Sequence, residues 1–154
     1  MKRHAVLVTV AAFIVSMTAS NAFSHCQIPC GIYDDPARFM LLAEHLTTIE
    51  KAMKTIVDLS SEKNLNYNQI VRWVQNKDQH ADELTEIVTY YFMAQRVKPP
   101  EEKTEEAQAK YVEQITWLHQ MVVYSMKAKQ TTKLENVEKL RTLIEAFKAS
   151  YLQE

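Results

Sequence analysis

"DPARFMLLAEHLTTIEKAMKTIVDLS", residues 35–60, places Phe39, Leu42, Leu46, Ile49, Met53 and Ile56 at alternating spacings of three and four. Residues three and four apart share one face of a helix, so this stripe predicts an amphipathic helix over 36–59 that buries one side in a bundle. Asp35 before Pro36 supplies its start: an N-cap acceptor, then a ring whose missing N–H falls in the first turn.

Toward the C-terminus the same pattern recurs three times. After the polar segment SSEKNLNYN, a second stripe runs through Ile70, Val74, Ala81, Leu84, Val88 and Tyr91 and stops before Pro99-Pro100. Lys77 stands where this stripe calls for an apolar residue, within a polar notch from Asn76 to His80. Acidic residues between Glu101 and Glu106 suit a helix start, and Tyr111, Ile115, Leu118 and Val122 carry a third stripe. KAKQTTK breaks it, and Leu134, Val137, Leu140, Ile144, Phe147 and Tyr151 carry a fourth. One glycine and four prolines leave little turn punctuation, which favours long helices over sheets. Short connections make consecutive helices antiparallel neighbours, so the expected fold is all-α, an up-down four-helix bundle.

Toward the N-terminus the first 24 residues read as a signal peptide. Lys2, Arg3 and His4 are followed by the apolar stretch AVLVTVAAFIVSM, too short for a membrane span, and then by small residues, TASNAFS. Cleavage after Ala22 leaves Phe23 first, and cleavage after Ser24 leaves His25 first. The expected organisation is a removed signal, residues 1–24, and one domain, residues 25–154, exported to a periplasmic or extracellular location. Losing Lys2 and Arg3 leaves 16 basic against 19 acidic side chains, with no dense basic patch, so nucleic acid is not an expected partner. No second apolar run predicts a membrane association after signal removal.

Between signal and bundle lies an irregular hook, His25-Cys26-Gln27-Ile28-Pro29-Cys30, that holds both cysteines of the chain. If His25 is the first residue, its α-amine, the Cys26 amide nitrogen and the Cys26 thiolate close two adjacent five-membered chelate rings, and Cys30 can supply a fourth corner. Planar N2S2 ligation suits Ni(II) or Cu(II), whereas zinc prefers a tetrahedron, and the His25 imidazole is left for an axial position. Thiolates and a deprotonated amide stabilise a higher oxidation state, so redox chemistry is the natural use. A Cys26–Cys30 disulfide is the plain alternative in an exported chain with an even cysteine count.

"HCQIPCGIYDD" resembles the N-terminal nickel hook of the nickel superoxide dismutases, in register at His25, Cys26, Pro29, Cys30, Gly31 and Tyr33. "NKDQHADE" resembles the family's second-helix segment, and "YYFMAQRVKPP" resembles its Tyr-Phe-Lys-Pro-Pro segment with an insertion after Phe92. The resemblance implies superoxide as substrate, converted to O2 and H2O2 by Ni(II)/Ni(III) cycling at one nickel ion per subunit, and a homohexamer of bundles. It implies nickel on the His25 amine and imidazole, the Cys26 amide and thiolate and the Cys30 thiolate. Tyr33 would stand over the open face, with Tyr91 as second tyrosine, Pro29 and Gly31 shaping the loop, and Lys98 attracting the anion.

The chain departs from the bacterial pattern. Gln27 replaces an acidic residue, Asp35 is an extra residue before Pro36, and His80 falls where that pattern has an arginine near the axial histidine. His80 and Glu44 are accordingly the candidates to orient the His25 ring. His45 and His119 read as ordinary boundary or surface histidines, and Trp73 and Trp117 as core or subunit contacts. A competing function with the same donors is an exported copper- or nickel-binding bundle without catalysis.

Overall fold

In the computed structural model the described residues are 29–102 and 104–152. The expected signal peptide, residues 1–24, and the expected ligands His25 and Cys26 lie outside them. Four helices follow the hook: α1, Asp35–Ser61; α2, Tyr67–Glu86; α3, Glu105–Gln130; and α4, Glu135–Tyr151. A π-helical segment, Ile87–Arg96, continues α2 without a break. Each helix packs on the next and α1 closes against α4, the neighbour pattern of an up-down bundle. No helix among the described residues is long and apolar enough to cross a membrane.

All six apolar residues of the α1 stripe are buried, each burial contributing about 1.5–3 kcal/mol relative to exposure. The α4 stripe is buried from Val137 to Tyr151, while Leu134 stands at the exposed N-cap. On α3 the buried line runs Gln114, Leu118, Met121, Ser125 and Ala128, rotated from the expected Tyr111-Ile115-Leu118-Val122 stripe, whose other members are only partly buried. Thr104 caps α3 by accepting from the Ala107 N–H at 3.2 Å, so this helix begins at the end of the acidic run.

Lys77, where an apolar residue was expected, is 2% exposed. Its ammonium donates to the carbonyls of Ala128 (2.8 Å) and Lys129 (2.5 Å) and to Asp78 Oδ1 (2.8 Å). Those carbonyls belong to the last turn of α3, which has no intrahelical donors for them, so a lysine from α2 caps a neighbouring helix.

The π segment begins at Ile87, where bonds shift from i−4 toward i−5; Val97 N–H donates to the Phe92 carbonyl at 2.8 Å. A wider turn absorbs extra residues while keeping Val88, Tyr91 and Phe92 in the core. Phe92 packs on Phe39 of α1 and Phe147 of α4 with ring centroids 5.0 Å away in both cases, and this aromatic layer is the floor beneath the hook's exit.

Candidate metal centre

The described part of the hook is a bend, Pro29-Cys30-Gly31, leading to Asp34 and α1. Gly31 adopts φ +78°, the left-handed region that glycine enters without the steric cost of a Cβ. Asp34, not Asp35, is the N-cap, its Oδ1 accepting from the Ala37 N–H at 3.0 Å. The expected cap is thus displaced by one residue, because the Asp35 carboxylate is engaged by Arg96, Tyr91 and Tyr151 instead.

Asp35 collects donors from two other elements. Arg96 Nε reaches Oδ1 at 2.9 Å and Nη2 reaches Oδ2 at 2.5 Å, the Tyr91 hydroxyl donates to Oδ1 at 2.5 Å, and the Tyr151 hydroxyl donates to Oδ2 at 2.9 Å. Burial alone would raise the Asp35 carboxyl, but hydrogen bonds from Arg96, Tyr91 and Tyr151 outweigh it and hold it below the usual carboxylate range. Burial, reinforced by the bond to Asp35, pushes the Tyr91 phenol up to about 12. Burial and the same carboxylate raise Tyr151 as well.

Tyr33 is held against this network by its ring. It lies 5.8 Å from the Tyr91 ring at 81°, edge to face, and the Arg96 guanidinium stands 4.6 Å from its centroid. The structure therefore brings together the two tyrosines paired in the sequence, in different states. Tyr91 is buried with its proton committed to Asp35, whereas Tyr33 is 40% exposed beside the bend that carries the exposed Cys30.

A cleft of about 410 Å³ with mixed polar and apolar walls opens beside the hook, and Pro29, Arg38, His45, Glu83, Glu86 and Tyr91 are among its lining residues. A larger groove of about 780 Å³ between Pro99, Pro100 and Val112 is mostly apolar and has no thiol, imidazole or tyrosine in its lining.

His45, read from the sequence as an ordinary histidine, faces the cleft beside the hook. Its Nδ1 is 2.9 Å from His80 Nδ1, and Glu83 Oε2 is 3.3 Å from the former and 3.4 Å from the latter. Burial lowers the pKa of His45, so its imidazole is neutral near pH 7. His80 is absent from the cleft walls and meets them through His45. Glu44 is exposed and also outside those walls, and Lys98 is exposed just beyond the π segment. The missed signal was His80-x-x-Glu83, an i,i+3 pair on the face of α2 that meets α1. Arg96 and Tyr151 carry no sequence signal, because their shared partner, Asp35, reads in the sequence as a helix cap.

A nickel hook fits what the described residues offer. Cys30 presents its sulfur side chain at an exposed bend, Gly31 supplies the reversal, and Tyr33 follows on a ring fixed from below by Tyr91 and Arg96. No curated protein and no solved structure matches the chain. The sequence pattern of the family described as nickel-containing superoxide dismutase does match, over residues 19–154, the hook and all four helices included. The chain belongs to the nickel-containing superoxide dismutases, oxidoreductases whose cofactor is nickel and whose substrate is superoxide.

Proposed function

We propose that nickel in this dismutase is held by the His25 amine and imidazole, the Cys26 amide nitrogen and thiolate, and the Cys30 thiolate. The observation that carries this reading is the register of His25-Cys26-x-x-Pro29-Cys30-Gly31-x-Tyr33 within a chain of the family, with Cys30 exposed beside the fixed ring of Tyr33. When bound, nickel supplies a Ni(II)/Ni(III) couple that oxidises one superoxide to O2 and reduces a second, with two protons, to H2O2.

The chain's own residues supply shape, charge and protons. Pro29 and Gly31 turn the hook so that Cys30 can fold back toward Cys26. Tyr33 would order water beside the bound metal and limit approach to small anions, while Tyr91, its hydroxyl bound to Asp35, positions the Tyr33 ring rather than offering a proton itself. Lys98 adds positive potential for an incoming anion, since the charge of Arg96 is balanced by Asp35. His45 fronts the cleft beside Pro29, and His80 supports it from behind, so these two orient the His25 ring. The chain is exported to the periplasm or beyond, residues 1–24 are removed so that His25 gains its free amine, and the bundles assemble as hexamers.

Tyr33→Phe in a chain starting at His25 tests the proton-and-water role. Nickel content should remain at one per chain while turnover falls at least about tenfold, less than the 10²–10⁴ of a direct proton donor. Unchanged turnover would remove Tyr33 from the mechanism, and loss of nickel with activity would make it a binding residue instead.

A further inference from the structure

We propose that His45, His80 and Glu83 form a second metal site, for a divalent ion of the zinc class, that ties α1 to α2 beside the hook. The proposal stands on described residues alone and does not depend on how the hook holds nickel. His45 comes from α1, while His80 and Glu83 come from one face of α2, three residues apart, the way facing helices of a bundle build metal sites.

The three donor atoms form a triangle with edges of 2.9, 3.3 and 3.4 Å. An ion about 2.0–2.2 Å from each of three tetrahedrally arranged donors sets them about 3.3–3.5 Å apart, so the triangle is close to ligand spacing. Hydrogen bonding cannot satisfy all three edges. If both Nδ1 atoms carry protons, both can donate to Glu83, but their hydrogens then oppose each other across the 2.9 Å edge. If one carries a proton, it serves one partner and leaves another lone pair facing a lone pair. A cation off the centre of the triangle takes all three lone pairs at once.

Two imidazoles and a carboxylate are the donor set of open zinc sites, with the fourth position left to water. The side chains are 11%, 22% and 37% exposed for His45, His80 and Glu83, sheltered yet reachable through the cleft, where Glu86 adds a second negative charge. Ligation through the Nδ1 atoms leaves both Nε2 atoms for other partners.

The test uses the full chain carrying Cys26→Ser and Cys30→Ser, so that the hook's thiolates cannot contribute. After chelator treatment and dialysis against zinc, about one equivalent per chain should be retained, and cobalt should give the visible absorption of a four-coordinate site without thiolate charge-transfer bands. Adding His80→Gln or Glu83→Gln should lower retained zinc below about a tenth of an equivalent, with helical circular dichroism unchanged. His45→Ala should do the same, and the two glutamine variants decide the matter if it fails to fold. Absence of stoichiometric zinc in the serine variant, or zinc that survives both glutamine changes, would overturn the proposal. Dismutase activity is not read, so failure here leaves the nickel assignment standing.

Discussion

Cys30→Ser is expected to strip nickel from the protein and to reduce superoxide dismutation by more than the roughly 10–100-fold that loss of an outer-shell partner costs a metal site. A serine hydroxyl stays protonated near neutral pH and is a hard, weak donor, whereas a thiolate in the proposed ligand set would both bind nickel and support its higher oxidation state. The fold should not suffer. Cys30 is exposed, precedes α1 and lies outside the buried core, so the urea midpoint of the metal-free variant should match that of the metal-free parent. Metal analysis beside a dismutation assay reads the result; full nickel occupancy in the variant would remove Cys30 from the ligand set.

Asp35→Asn should be the most damaging change outside the hook, costing about 2–3 kcal/mol at pH 7. Removing one partner of a buried ion pair costs about 3–5 kcal/mol, and the lower figure reflects Arg96 being 30% exposed. Asparagine keeps one acceptor oxygen and puts an NH2 where Arg96 and one of the two tyrosines donate.

The pH dependence follows from the same network. The Asp35 carboxyl is depressed in the folded state, so its stabilisation is complete above the unfolded value near 3.9 and is lost as pH falls through the depressed value. Tyr91 is raised to about 12, so its contribution is complete below the unfolded value near 10 and drains away between about 10 and 12. Urea unfolding at pH 7 and across both limbs should show the parent losing stability at each end and Asp35→Asn responding less. A variant within about 0.5 kcal/mol of the parent at pH 7 would mean that the network contributes no more than an ordinary surface contact.

The bundle was legible wherever hydropathy and burial coincide. On α1 the spacing of three and four names the buried face without error, since every stripe position is apolar and close-packed. On α3 it fails by one position because Gln114 and Ser125 occupy the seam while Tyr111, Ile115 and Val122 flank it, and hydropathy cannot see a buried polar residue. Lys77 shows the same blindness: its ammonium satisfies carbonyls 51 and 52 residues away, which no local pattern records. The π segment is invisible for a related reason, because the choice between i−4 and i−5 bonding is made by what the turn must accommodate.

The site was legible in part. The hook announced itself by donor types packed into six residues. Tyr33 and Tyr91 were paired through the family resemblance, and the structure sets their rings together. What supports the hook was not legible, since Asp35, Arg96 and Tyr151 meet from positions up to 116 residues apart. His45 was passed over because a lone histidine beside an apolar stripe has no visible partner until α2 is folded against it.

In the proposed nickel site the free α-amine of His25 is a ligand, which requires His25 to be the first residue of the mature chain. Intact mass with metal analysis on protein from the exported fraction tests it most directly, since one sample reports the N-terminus, the thiol state and the metal. A chain starting at His25 should carry one nickel, and a chain that retains its N-terminal segment should not hold nickel tightly, because any preceding residue turns the amine into an amide. A chain starting at Phe23, two hydrogens lighter than the reduced form and free of nickel, would contradict the amine assignment and leave Cys26 and Cys30 as a disulfide.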